Sequence, residues 1–179
     1  MFWRVNITIH WGVIFFVLLA LVCYLFLTAL MMMGRYKKCV RAFEAGEFDY
    51  ILQHGQKLIF PFRKAPILTG NLHYMLAVAY FNRNDDTLFL EHINAVSTEQ
   101  LQWGKHFWLA MYAVTQGEYT QYDELQKALL ADGMDDNQQR SYEILSLAYW
   151  HKKEGYVLSA QENASIHNSK HNRVKQIFS

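Results

Sequence analysis

Residues 11 to 33 read WGVIFFVLLALVCYLFLTALMMM, twenty-three positions with no charge, proline, asparagine or glutamine. A helix of that length reaches about 34 Å at about 1.5 Å per residue, enough to cross a hydrocarbon core of about 30 Å. Thirteen of these residues are Leu, Ile, Val or Phe, each favouring insertion by about 0.3–0.6 kcal/mol at mid-membrane. A core helix seldom stays apolar on every face for so long. A cleaved signal segment carries an apolar stretch of only about 7–15 residues ahead of a small-x-small site, and no such site stands near Thr28, Ala29 or Gly34. Residues 11–33 are therefore read as an uncleaved transmembrane helix behind a short tail, 1–10, with the lipid bilayer as its first partner.

The flanks predict an orientation. Arg4 stands ahead of the apolar run, whereas Arg35, Lys37, Lys38 and Arg41 follow it, so the rule that basic loops stay inside puts the N-terminus out and the C-terminal part in the cytoplasm. Trp3, Trp11 and Tyr36 stand where interfacial aromatics collect, and the four basic residues can also hold anionic headgroups.

Beyond Gly34 the apolar residues recur at spacings of three and four, without the alternation of strands, so the soluble part reads as all-α. Polar breaks fall at Gly46, Asn84, Gly117 and Gly155, at intervals of 38, 33 and 38 residues. Seven residues before each break lies a small side chain, Cys39, Ala77, Ala110 or Ala148, suited to a close helix crossing; five residues after lies Ile51, Phe89, Tyr122 or Ala160. Further breaks are expected from Phe60-Pro61 to Pro66, at 97–99 and at 132–136. Ser97-Thr98-Glu99-Gln100 has the form of a capping box, and Asp135 with Gln138 is a second candidate.

The run Ile144-Leu145-Ser146-Leu147-Ala148 continuing to Gly155 and Ala160, and Leu76-Ala77-Val78-Ala79-Tyr80 continuing to Phe89 and Ile93, resemble the tetratricopeptide repeat, whose period is about 34 residues. The resemblance spans most of 35–165, although the family's Trp and Pro are absent and Lys38 replaces an expected Leu. It implies an α-solenoid of about four antiparallel helix pairs over 34–165, followed by a basic tail or capping helix over 166–179. It further implies a concave face lined by the first helix of each pair, where the helical register places Tyr36, Val40, Phe43, Tyr74, Val78, Phe81, Phe107, Met111, Val114, Tyr142 and Tyr149. That stripe is either an open aromatic groove for an apolar or amphipathic peptide or a closed core between tightly wound helices. If open, Phe81, Phe107, Met111 and Tyr149 should be partly exposed. The carboxylate clamp of some family members is not matched, because Tyr36, Val40 and Tyr74 stand where its basic and amide groups would be.

From Ala42 to Ser169 there are nine Lys or Arg against sixteen Asp or Glu, a net −7 that disfavours nucleic acid, while Lys170, Arg173 and Lys175 make the tail basic. Asp85, Asp86, Asp132, Asp135 and Asp136 sit at helix junctions and read as caps. Phosphate loops, HExxH, CxxC, GxSxG and EF-hand motifs are lacking, so neither an enzyme nor a cofactor or small-molecule substrate is expected. His167 and His171 have metal-ligand spacing but no third partner in sequence, Cys39 reads as a packing residue, and the sequons at Asn6 and Asn163 read as chance. The chain is thus expected to be a membrane-tethered adaptor or scaffold for a protein or peptide partner; the alternative is a small accessory subunit whose span makes the decisive contacts.

Overall fold

Every element among the described residues is helical. The computed structural model describes residues 11–131 and 133–179; Trp3, Arg4, the Asn6 sequon, Asp132 and the Trp11 side chain lie outside the description. The chain divides into two units, one up to Lys38 and one over Cys39–Ser179. The first is formed by most of helix α1, Trp11–Ala45, which is long and apolar enough to cross a membrane. Most of its apolar side chains from Val13 to Leu30 are exposed, as is Cys23. Arg35, Lys37 and Lys38 are exposed in this unit, and Arg41 in the next.

The second unit begins with the last turns of α1 and continues through α2 (Phe48–His54), α3 (Gln56–Phe62), α4 (Pro66–Asn82) and α5 (Asp86–Asn94). A 3₁₀ turn, Glu99–Leu101, leads into α6 (Gln102–Gln116), followed by α7 (Tyr119–Ala131), α8 (Asp136–Glu154), α9 (Ala160–His167) and α10 (Asn172–Ile177). Helix α4 packs on α2, α3 and α5, and α6 packs on α7 and α8.

One local device recurs. Gly46, Asn84 and Gly117 all have positive φ, at 76°, 58° and 75°, a conformation that costs an ordinary L-residue about 1–2 kcal/mol. At each, the residue's own N–H bonds the carbonyl three back (Phe43, Phe81, Val114) and the next N–H bonds the carbonyl five back from itself (Ala42, Tyr80, Ala113). Two of the orphan carbonyls that end each helix are thereby satisfied, and the chain reverses at once. Gly155, also at positive φ, ends α8 more loosely, Tyr156 N–H reaching back to Trp150. Seven residues upstream, Cys39, Ala77, Ala110 and Ala148 are all completely buried. Downstream, Ile51, Phe89 and Tyr122 are buried as well, but Ala160 is exposed.

Helix starts follow the sequence less closely. Asp135 with Gln138 forms a complete capping box, and so does Ser159 with Glu162, a pair the spacing had not singled out. The expected box at Ser97–Gln100 does not form: the chain enters the 3₁₀ turn there, and Thr98 Oγ1 is buried without a partner beside Gly70, where a Cβ would collide with it. Gly70 is what lets the 3₁₀ segment lie against α4. Pro66 opens α4 at a position where its missing N–H costs nothing.

Bulk at the buried small positions should be poorly tolerated. Ala77→Leu is expected to lower unfolding stability by about 1–3 kcal/mol through overpacking. Gly117→Ala, which meets no neighbour within 4 Å and is strained only through its φ, should cost about 1 kcal/mol, while Asn84→Gly should be neutral. Urea denaturation of the full chain in detergent checks all three.

Candidate functional site

Aromatic side chains from three elements meet on one face of the second unit. Phe43, near the end of α1, approaches Tyr74 of α4 with ring centroids 6.0 Å apart, and Trp108 Nε1 donates to the Tyr74 hydroxyl over 3.0 Å. Trp103 stacks on Phe107 one turn along α6, and Trp108 packs against both Phe107 and Phe81. Gly104 permits this approach of α6 to α4, since a Cβ there would lie 2.7 Å from the Tyr74 hydroxyl. Burial pushes the Tyr74 phenol above its ordinary pKa, partly opposed by the Trp108 hydrogen bond.

Onto this face folds the segment that follows α9. Lys170 Nζ donates to the carbonyls of Phe43 and Glu44, 3.2 Å each, and lies over the Phe43 ring. A cation is thus placed at the negative, C-terminal end of the α1 dipole. His171 stacks on Phe48 at 5.5 Å and meets Trp108 edge-on at 4.8 Å, while Asn82 Nδ2 lies 3.1 Å from its Nδ1. An amide N–H can only donate, so this contact requires His171 Nδ1 to be the unprotonated nitrogen. Arg173, 7% exposed, reaches the Asp86 carboxylate at 2.5 Å and the Phe81 carbonyl at 3.4 Å. Its guanidinium also lies over the rings of Phe81 and Tyr112. Val174 and Ile177 complete the buried side of α10.

The predicted stripe is accordingly divided. Phe43, Tyr74, Phe107 and Met111 line a cleft of about 220 Å³ together with Trp103, Trp108 and the Ser169–Val174 segment. Val78, Phe81, Met111 and Val114 are fully buried, and Phe107 and Tyr149 nearly so. The partial exposure expected of Phe81, Phe107, Met111 and Tyr149 is therefore corrected: Phe81 is enclosed by Phe89, Trp108 and Arg173, and Tyr149 stacks on Tyr122 at 4.2 Å. Tyr142 accepts a hydrogen bond from Gln126 at 2.6 Å and, with Tyr149, belongs to the contact between α7 and α8. Val40 is half-buried, and Tyr36 belongs to the N-terminal unit.

Local sequence signals do not bring His171, Arg173 and Asp86 into one site. The tail's three basic residues masked its second pattern, apolar side chains at 174, 177 and 178 after an imidazole at 171, which is the spacing of a half-buried helix. The pairing of His167 with His171 also fails, because α9 ends at His167, which is exposed, whereas His171 is enclosed. A different histidine pair does form: His73 and His92 bring their Nδ1 atoms to 2.8 Å between α4 and α5, with Tyr80 stacked on His92. Burial lowers both pKa values, so the pair is neutral at pH 7. Among the described residues no three His, Cys, Asp or Glu gather as a metal site. No protein-family model matches the chain, and neither does any curated protein or solved structure.

Burial, reinforced by neighbouring Lys170, holds the His171 pKa down to about 4, from an ordinary 6.5. A docked His171 must shed its proton, so docking of the segment is at full strength above pH 6.5 and weakens as pH falls from about 6.5 towards 4. The loss should reach about 3 kcal/mol. Imidazole NMR of the full chain should show His171 titrating near pH 4, and titration of His171 near its ordinary 6.5 would show that the segment is not docked.

Proposed function

We propose that the chain is a single-pass, membrane-anchored adaptor whose soluble unit, a tetratricopeptide-like array of helix pairs, holds protein segments at the cytoplasmic face of its membrane. The observation that carries this reading is the aromatic face of α1, α4 and α6, on which a ten-residue stretch, Ser169–Phe178, is bound through a stacked imidazole, a half-buried ion pair and two aliphatic side chains. Ring stacking, a desolvated arginine and aliphatic anchors are the contacts that dominate peptide recognition. The recurrence of one hairpin turn at 46, 84 and 117, each preceded by a fully buried small residue, supports the repeat reading. Four basic residues after the apolar run against Arg4 before it support the orientation. No catalytic role is assigned to any residue.

Two measurements test it. Protease added outside intact cells should leave residues 42–179 uncut; degradation of that domain would reverse the orientation. A photo-cross-linker at Ser141, which lines the cleft, should form an adduct with one defined protein, and the same probe at exposed Lys127 should not. The adduct should persist when the span is replaced by an unrelated apolar helix of equal length. Its loss on replacement would favour the accessory-subunit reading instead.

A further inference from the structure

Resting on the adaptor reading, we propose that α10 is an intramolecular competitor for the groove: the partner segment is a short basic helix carrying an arginine followed by aliphatic residues one and four positions on, and it enters by displacing α10. The arginine site is built entirely by other elements. The Asp86 carboxylate comes from α5, the Phe81 carbonyl and ring from α4 and the Tyr112 ring from α6. Gln116 Nε2 donates to the other Asp86 oxygen at 2.9 Å, holding the carboxylate in place. Such a pocket selects a guanidinium over an ammonium, because only the planar group can face a ring while donating to oxygens in its plane. The surrounding domain, net −7 from Ala42 to Ser169, attracts a basic segment.

The fit of α10 itself is incomplete. Solvent-open clefts flank it, one of about 220 Å³ beside Val174 and His171 and one of about 190 Å³ beside Arg173 and Ile177. Two polar atoms at this face, Trp103 Nε1 and Asn82 Oδ1, are buried without partners, and each such atom carries an uncompensated desolvation penalty. A partner that accepts from Trp103, which lines the cleft, would relieve the first, and one that donates to Asn82 from the separate hollow beside Phe48 and Asn172 would relieve the second. Helix α10 has six residues and is joined to α9 by four, Asn168–His171. A helix that short does not persist alone in water, so its conformation is supplied by the groove and is lost on release.

The experiment uses the full chain in detergent micelles and a fluorescent synthetic peptide of residues 166–179. Arg173→Glu should release the chain's own segment, so this variant should bind the peptide at least about tenfold more tightly than wild type does, and a peptide with Glu at position 173 should bind at least about tenfold more weakly than the native one. A second arm guards against misfolding of the variant. A protease site placed within 168–171 of the otherwise wild-type chain is cut, and excess peptide is added; helicity should be retained while the cut segment is chased off. Loss of helicity during the chase, or a segment that never exchanges, would show α10 to be core and overturn the proposal. Exchange of tails between copies, seen as dimers of the uncut wild-type chain that native peptide cannot dissociate, would also overturn it by assigning the groove to a second copy. An adduct from Ser141 in cells without any peptide exchange would leave the adaptor reading standing and remove this inference alone.

Discussion

A helix that must turn back on its neighbour within two residues needs one residue that tolerates positive φ, and the second unit depends on that constraint at Gly46, Asn84 and Gly117. Each of these residues lets two terminal carbonyls find N–H donors, which frees the following helix to begin immediately. After Asn84 and Gly117 the joined helices, α4 with α5 and α6 with α7, pack closely, and their crossing must be occupied by something small. Ala77 and Ala110, each seven residues upstream and each inaccessible to solvent, meet that demand, and Cys39 is equally buried ahead of Gly46. Turn and crossing are two consequences of one geometric requirement.

Small residues at the crossings leave the large ones to face elsewhere. On α4 and α6 they form a broad aromatic surface too apolar to be left in water, and α10 covers it. The cover is not purely hydrophobic: Arg173 goes in charged and is compensated by Asp86, while His171 goes in neutral because its site offers an amide donor and two aromatic rings. Charge and protonation state therefore enter the stability of a contact that would otherwise depend only on area. They give the covered face a sensitivity to pH that the α4–α5 contact shares through the His73–His92 pair.

Much of this was legible in the residues. The apolar run, the helical class and the positions of the left-handed turns follow from local signals: length without charge, spacing of three and four, and glycine or asparagine at a break. Phe43, Tyr74, Phe107 and Met111 were placed on one face by register, and they do line one cleft. What local signals could not provide was the closing of that face. Asp86 and Arg173 are 87 residues apart, and each has a sufficient local explanation, as a helix-junction acid and as a tail cation. The exposure expected at Phe81 failed for the same reason, since its cover comes from a segment whose basic character disguised its apolar side. The box at Ser97 failed in the opposite way: Ser97 with Gln100 has the form of a cap, but the neighbouring Thr98 packs against Gly70 and the chain enters a 3₁₀ turn there instead.

The account stands on the docking of α10, and amide hydrogen exchange of the intact protein in detergent at pH 7 tests it most directly. A six-residue helix left to itself would exchange at the rate of an unstructured peptide. If the segment is held by Asp86, Phe48 and Trp108, the amides of Val174–Phe178 should be slowed at least about a hundredfold, with those of α4 and α6 slower still. Exchange of Val174–Phe178 at unstructured rates, alongside protected amides in α4 and α6, would mean that the aromatic face is open and would contradict the account.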